Sequence, residues 1–338
     1  MVDKVQQPGR LRPAPENFLS EAQVEAVTTG RRDFLRKSFL AAGALAAAPF
    51  AARASEGDSA ILQNPPWTTS LGQPVAARPY GMPSKFESQL LRRESPGLAR
   101  VSGASVSFAP LQGLFGIITP SGLHFERHHQ GWHEVDPAMH RLMVNGSDDS
   151  LLKKAKVYTL DELMRMPSAS RIHFIECGAN TGLEWGNVAV PTVQYTHGMI
   201  SCSEFTGVPL KYLLEDCGVN YKKARYVLAE GADGSSMTRT IPMEMVESGE
   251  VMVAYGMNGE MLRPENGYPL RLVVPGVQGV SWVKWLRRIE VGDKPYATKD
   301  EAVHYIDLQP SGLHRQYSSV QEAKSVITTP SGGQTLLD

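Results

Sequence analysis

A strand that runs out onto a glycine-rich turn constrains this chain more than any other stretch. Arg171-Ile-His-Phe-Ile-Glu176 is rich in β-branched and aromatic residues, and Cys177-Gly-Ala-Asn180-Thr-Gly182 follows it. Such side chains suit a pleated, half-buried surface, so Arg171–Glu176 is expected to be a strand that Gly178, Asn180 and Gly182 end. Cys177 then sits where a rigid element opens onto space, a common place for a functional sulfur. A cysteine beside apolar residues is also commonly a small core residue. The stretch alone leaves both readings open.

The three cysteines, at 177, 202 and 217, give no disulfide framework. An odd number leaves at least one thiol unpaired, which suits a metal ligand as well as a buried side chain. Pro209–Cys217 is expected to be a helix, with Leu210, Leu213, Leu214 and Cys217 on one stripe and Gly218 as its stop. Cys217 is therefore expected in the core. Cys202, within the strand-like Met199–Phe205, is also read as core. The chain has no C-x-x-C-H motif, so no covalently attached haem is expected.

The hydrophobic fraction of 42% supports a substantial core, and a net charge of −1 offers no basic field for nucleic acid or an anionic membrane. The N-terminus says more. Arg31-Arg32-Asp-Phe-Leu35 precedes an apolar run, Phe39–Phe50, too short to span a bilayer, and Ala52-Arg53-Ala54 fits a small-x-small cleavage site. The arrangement resembles a twin-arginine export signal. Residues 1–54 are thus expected to be a signal peptide, and the location periplasmic; the resemblance also implies a cargo that folds around a cofactor before export.

Residues 55–100 are expected to form an extended segment, with coil at Asn64-Pro65-Pro66 and Arg78-Pro79-Tyr80-Gly81. Ser84–Arg93 is read as a short helix, and Ile117-Ile118 as part of a strand. Further on, Leu160–Met166 reads as a helix and Arg225–Glu230 as a strand entering Gly231-Ala-Asp233-Gly234. Pro242 begins a helix that Gly249 ends, and Asn258-Gly259 turns a hairpin after the strand Val251–Tyr255. Leu272–Val274 and Val283–Val291 are the last strands expected. The class is α+β, without repeats or a phosphate-binding glycine motif.

Five of the nine histidines, His124, His128, His129, His133 and His140, fall within one short region. The spacing of a helical zinc protease motif is absent, and Pro137 interrupts any helix there. Exposed loop histidines, a metal site, and contacts to a bound anion beside Arg127 are the three readings open.

Four segments, taken together, resemble the sulfite oxidase family of molybdenum enzymes. They are Arg127-His128-His129, Glu176-Cys177-Gly-Ala-Asn180, Gly198-Met-Ile-Ser201 with Gly207-Val-Pro-Leu210, and Tyr268-Pro-Leu-Arg271 with Val283-Lys284-Trp-Leu286. Ile175-Glu176-Cys177, Thr196–Ile200 and Glu322–Thr328 are narrowly similar to the molybdenum subunit of bacterial sulfane dehydrogenases, the SoxC type. The resemblance implies a sulfite oxidase-type molybdopterin-binding fold over residues 101–312, with one pyranopterin and a mononuclear molybdenum. It implies Cys177 as the protein's metal ligand, since a thiolate is a soft donor. Arg127, His128, His129, Asp233, Asn266, Arg271, Val283 and Lys284 would hold the cofactor, and Tyr305 would be a catalytic tyrosine. Asn266 stands where the family has a histidine, which weakens one contact.

Two further departures concern the substrate. Thr181-Gly182 stand where similar sulfite oxidases carry arginine, and Tyr195 replaces a tryptophan near the substrate pocket. The resemblance therefore implies oxidation of sulfane sulfur carried on a cysteine of a carrier protein, with electrons leaving to a separate c-type cytochrome. A periplasmic sulfite dehydrogenase is the alternative, followed by a sulfoxide reductase of the same fold and a zinc hydrolase built on the histidines. Family members are homodimers through an Ig-like sandwich, and residues 313–338 resemble its beginning. With Asp338 far short of the roughly 100 residues such a sandwich needs, the expectation is an incomplete dimerisation domain. Elemental analysis of protein made in a cofactor-competent periplasm is expected to give about one molybdenum per chain and no stoichiometric zinc; zinc without molybdenum would reverse the assignment.

Overall fold

Alternation along one long strand shows how the centre of the molecule is built. In the computed structural model, which describes residues 81–94, 105–182, 192–316 and 320–331, Ile200–Pro209 forms ten residues of strand. Ser201, Ser203, Phe205 and Gly207 point inward. Cys202, Glu204 and Thr206 occupy the opposite, half-exposed face. Cys202 is therefore not a core residue: its apolar neighbours suggested burial, but the period of two turns it away from them. It lies opposite Phe174, itself 44% exposed.

In chain order the strands are β1 (Arg93–Glu94), β2 (Val106–Phe108), β3 (Glu126–Arg127), β4 (Leu142–Gly146), β5 (Lys156–Tyr158), β6 (Ala169–Glu176), β7 (Ile200–Pro209) and β8 (Tyr226–Gly231). They continue with β9 (Thr238–Pro242), β10 (Met252–Met257), β11 (Glu260–Met261), β12 (Arg271–Val273), β13 (Leu286–Gly292), β14 (Ile306–Leu308) and β15 (His314–Gln316). The helices are short: α1 (Leu160–Leu163), α2 (Val193–His197), α3 (Leu210–Asp216), α4 (Met243–Glu247) and α5 (Lys299–Val303). One sheet runs β11-β10-β7-β6, with β12 also paired to β10. A second runs β5-β4-β13-β8-β9, in which β13 is parallel to β4 and antiparallel to β8. Strands β1-β2-β3 and the pair β14-β15 complete the α+β organisation.

The core lies on the inner faces of the two larger sheets, with Phe205, Leu142, Leu272 and Ile289 all fully enclosed. Helix α3 buries Leu210, Leu213 and Leu214, and Cys217 caps it with 1% exposure, so this sulfur is core as expected. Pro209 serves as the N-cap rather than as the first helical residue. Asn258 (φ 52°) and Gly259 (φ 79°) take the left-handed conformations that a tight hairpin between β10 and β11 requires.

Three local expectations are corrected. Ser84–Arg93 holds only a 3-10 turn at Lys85–Glu87, because no apolar face is buried there and Phe86 stays 81% exposed. Ile117-Ile118 is not a strand; the backbone partner in that region is Thr119, whose N–H donates to Cys202 O at 2.7 Å. Strand β13 begins at Leu286 rather than Val283, since Trp285 takes a positive φ of 51° that no strand continues through. The signal peptide, most of the 55–100 segment and the residues beyond 331 lie outside the described residues. Residues 320–331 run extended against the body: Gln321 N–H donates to Gly276 O at 2.8 Å, and Val193 N–H donates to Ser331 Oγ at 2.8 Å.

Where β7 meets β10 the backbones leave no room for a side chain. A Cβ on Gly207 would lie 2.2 Å from Val253 O and 2.5 Å from Ala254 Cα. Gly207→Ala is expected to cost about 3 kcal/mol or to prevent folding, because backbone rather than a flexible side chain must move. Gly182→Ala, with open space around it, should stay within about 0.5 kcal/mol of the parent. Urea unfolding of the two variants checks both values.

Candidate active site

One cavity of 450 Å³ opens where β6, β8, β12 and β13 end or begin. Its wall contains every residue assigned from the sequence to the metal, the cofactor or catalysis: Cys177, Tyr305, Arg127, His128, His129, Asp233, Asn266, Arg271, Val283 and Lys284. These residues are spread from 127 to 305 along the chain, and the fold gathers them into one place.

Cys177 leaves the end of β6 on a turn that is hydrogen-bonded throughout. Its N–H donates to Met199 O at 3.0 Å, and its carbonyl accepts from Asn180 N–H at 2.9 Å. Asn180 fastens the turn from inside: Nδ2 donates to Glu176 Oε1 at 2.8 Å and to His197 O at 3.0 Å, while Oδ1 accepts from Met199 N–H at 3.0 Å. Burial pushes the Cys177 thiol up, against a smaller downward pull from the Ala179 backbone and Arg127. The chain alone therefore does not make it a thiolate; a bound cation would have to.

A relay of charge organises the opposite wall. Arg92 pairs with Glu126, whose Oε2 accepts from His128 Nε2 at 2.9 Å. His128 Nδ1 lies 2.7 Å from Lys284 Nζ, which also donates to Arg127 O at 3.2 Å and Glu265 O at 3.1 Å. A neutral His128 with its proton on Nε2 satisfies both neighbours. Burial first and Lys284 second lower its pKa to about 2. His124, which donates from Nδ1 to Phe125 O at 2.8 Å, is lowered to about 3, mainly by burial. Burial, then Arg271, hold Lys284 well below the usual lysine range. Arg271 is 3% exposed and sits between the Phe205 and Trp282 rings, its Cζ 5.6 and 5.8 Å from their centroids. Its Nη groups donate to Asn266 O and Trp282 O at 3.1 and 3.2 Å.

The histidine cluster is thus not a set of exposed loop side chains. His124, His128 and His140 are buried, and His129 is half-buried in the cavity wall. Among the described residues no three His, Cys, Asp or Glu side chains come together to hold a metal. His140 Nε2 donates to Leu286 O at 2.8 Å, away from the cavity lining. Of the three readings, contact with a bound anionic group suits His129 and Arg127; His128 has both ring nitrogens engaged, and His124, donating from Nδ1, offers only an acceptor at Nε2.

Tyr305 reaches the cavity from the end of α5. That helix is capped by Thr298, and Glu301 ties it to β9 by accepting from Thr240 N at 2.7 Å and Thr240 Oγ1 at 2.8 Å. The Tyr305 ring lies under the Arg239 guanidinium, Cζ to centroid 4.7 Å. Burial and then Cys177 push its phenol pKa up, so it remains a proton-bearing donor at neutral pH. Tyr195 is not in the cavity lining; its ring packs on Phe108 at 5.0 Å. Thr181 holds φ 68°, no described residue lies within 4 Å of a Cβ built on Gly182, and neither residue is part of the cavity lining.

Sequence reasoning missed several wall residues, among them Gln278, Trp285 and His304, and gave His124 no role beyond the histidine cluster. Trp285 carried a signal within its motif: it is a bulky residue held at positive φ, with Lys284 Nζ 4.7 Å from its ring centroid. The wall residues fit a pterin with a phosphate tail. His124 Nε2, Asp233 Oδ1 and Asn266 Oδ1, and the donors Arg271 Nε and Trp285 Nε1, are buried without a hydrogen-bond partner among the described residues. Such atoms are costly unless a ligand meets them, and a pterin offers both donors and acceptors. Arg127, Lys284 and Arg271 supply charge for an anionic tail.

Cys177→Ser is expected to leave the fold intact and abolish turnover, while Cys202→Ser, on the half-exposed face of β7, should leave both close to the parent. Assay with metal content separates the two. The buried histidines predict acid lability. His124 and His128 titrate near the ordinary histidine value when unfolded and near about 3 and about 2 when folded. The unfolded chain therefore binds more protons below about pH 6.5, and stability falls as pH drops from there towards 3. His128→Gln should reduce that slope between pH 6 and 4, by up to about 1.4 kcal/mol per pH unit, as read from urea midpoints at each pH.

Comparison with known proteins agrees with this geometry. The family profile of the oxidoreductase molybdopterin binding domain matches residues 129–299. The crystal structure of the sulfane dehydrogenase SoxCD from Paracoccus pantotrophus superposes with a TM-score of 0.74 and 44% identity, covering 82% of this chain and 70% of that one. Nitrate reductase (NADPH) of Phytophthora infestans is 34% identical over 59% of this chain and 23% of its own length. Mitochondrial sulfite oxidase of Drosophila melanogaster is 32% identical over 57% and 34%. The chain spans about a quarter to a third of these two curated relatives. With half of its length under one profile and the motif residues gathered round one cavity, the chain belongs to the molybdopterin-binding oxidoreductase family that includes the sulfite oxidases and closely resembles SoxC.

Proposed function

We propose that this chain oxidises sulfane sulfur presented on a cysteine of a carrier protein and passes the electrons to a separate c-type cytochrome. The observation that carries the reading is the convergence of all ten assigned residues on one cavity centred on Cys177. When bound, the molybdenum cofactor supplies oxygen-atom transfer to sulfur coupled to a two-electron change.

The chain's own residues do the rest. Cys177 Sγ is the ligand offered to the metal. Arg127, Lys284 and Arg271 hold the anionic part of the cofactor, with Lys284 aimed by His128 and by two backbone carbonyls. Asp233 and Asn266 each offer an unpaired acceptor to the ring system. Trp282 and Trp285, both nearly fully buried, keep bulk water from that side. The Tyr305 hydroxyl, kept protonated, donates a hydrogen bond on the substrate side.

Substrate choice rests on Thr181-Gly182. A small dianion gains charge-assisted bonds from guanidinium groups, worth roughly 1.5–3 kcal/mol each. This turn supplies none, and no described residue lies within 4 Å of a Cβ built on Gly182, which suits a sulfur delivered on a protein arm. The 44% identity to a sulfane dehydrogenase supports the same choice. Export to the periplasm follows from the resemblance of residues 1–54 to a twin-arginine signal, and residues 313–338 are read as opening a dimerisation module. Among the described residues, no helix is long and apolar enough to cross a membrane.

Steady-state kinetics test the reading. Wild type should turn over a persulfide-loaded carrier faster than free sulfite. Gly182→Arg should tighten sulfite binding by about tenfold to a hundredfold and obstruct the carrier. High kcat/KM on free sulfite with no response to the carrier would make this a sulfite dehydrogenase instead.

A further inference from the structure

The three stretches that carry the narrower likeness are far apart in sequence: Ile175-Glu176-Cys177, Thr196–Ile200 and Glu322–Thr328. The fold joins them in one polar network behind Cys177. Glu176, directly before the metal ligand, is 1% exposed. Its Oε1 accepts from Asn180 Nδ2 at 2.8 Å and is paired with Lys324 Nζ; its Oε2 has no hydrogen-bond partner among the described residues. Asn180 reaches His197 O and the Met199 N–H, Cys177 N–H reaches Met199 O, and Thr181 N–H reaches Thr196 O at 3.1 Å.

The segment bearing Lys324 is pinned on either side of that contact. Val320 bridges Val277, and Gln321 N–H donates to Gly276 O, next to the loop that lends Gln278, Gly279 and Val280 to the cavity wall. Beyond Lys324, Ser331 Oγ accepts from the first residue of α2. The cavity loop is close-packed on the same residue, since a Cβ on Gly279 would lie 2.9 Å from Glu176 O. A carboxylate so enclosed is costly without a cation, and its charge lies one residue from the sulfur that faces the metal. Exposed ion pairs contribute little, but this one has an enclosed half.

We propose that Lys324 is a positioning residue of the metal centre. Seated on Glu176, its ammonium offsets the carboxylate's field at the Cys177 sulfur and so raises the reduction potential of the group bound there, while residues 320–331 strap the turn in place. The inference rests on the molybdenum reading above. Removing the cation alone leaves a negative charge beside the sulfur, which favours the oxidised, more positive metal and lowers its potential. Removing both charges restores neutrality.

Redox titration of the holoenzyme, followed by the paramagnetic signal of the half-reduced metal, tests this. Lys324→Met should lower the one-electron midpoint by at least a tenfold change in equilibrium, about 59 mV. Glu176→Gln with Lys324→Met should return most of that shift, and Lys324→Arg should hold the wild-type value. An unmoved midpoint in Lys324→Met, or a shift that the double variant leaves in place, overturns the proposal and makes the contact purely structural. Should Lys324→Met fail to load cofactor, the double variant decides: loading with a wild-type midpoint supports the proposal, and failure to load overturns it. Wild-type protein without molybdenum would instead overturn the functional reading, so the two failures are told apart by metal content.

Discussion

Two cations held beside each other with little carboxylate to balance them govern this molecule. Arg271 and Lys284 face each other across an antiparallel bridge at the cavity wall. Burial lowers the pKa of Arg271 to about 9, and burial first and Arg271 second hold Lys284 well below the usual lysine range. Charge is expensive in such a place, and backbone carbonyls meet only part of the cost. Arg271 Nε has no hydrogen-bond partner among the described residues. Much of that cost would be offset by an anion bound against this wall. Much of the architecture can be read as support for it: the Arg92–Glu126–His128 relay aims Lys284, and the Phe205 and Trp282 rings bracket Arg271.

That arrangement explains why the site was legible in the sequence to an unusual degree. Arg127-His128-His129, Glu176–Asn180 and Val283–Leu286 are contiguous motifs, because each is a strand end whose consecutive residues line the cavity. The fold class was legible for the same reason: strands such as Arg171–Glu176 and helices such as Pro209–Cys217 announce themselves by local periodicity. What escaped depends on contacts distant in sequence. Arg239 matters because β9 brings it over Tyr305, 66 residues away along the chain, and no local pattern encodes that meeting. Cys202 was misread because apolar composition does not say which face of a strand a residue occupies. Trp285 has strand-like chemistry, yet the backbone turns through positive φ to present it to His128 and His133.

The histidines show how composition misleads when taken as a group. Five imidazoles close in sequence invite a metal site, but the fold disperses their tasks. His124 and His128 are neutral polar fittings of the wall, and His140 meets a backbone carbonyl of β13. Only His133 remains on the outside, edge-on to Trp285 at 5.6 Å. Desolvation decides these roles: burial keeps the His124 and His128 imidazoles uncharged, in His128 with the help of Lys284 and despite the Glu126 carboxylate at its Nε2, so each acts as donor or acceptor rather than as cation.

The two sides of the cavity are built on different principles. The cofactor side is enclosed by β12, the start of β13 and the Trp282 and Trp285 rings, with charges fixed by multiple partners. The other side, which the proposed function gives to the substrate, is made of turns: Gly178, Ala179, His304 and Tyr305 line it, while Thr181, with its left-handed backbone, and Gly182 follow two and three residues beyond Ala179. A rigid, charged half would keep the reactive group in one orientation, which catalysis by preorganised electrostatics requires. A turn can be altered without disturbing that orientation. Under the proposed function, substrate range could therefore change at Thr181-Gly182 while the buried cations and their relay stay as they are.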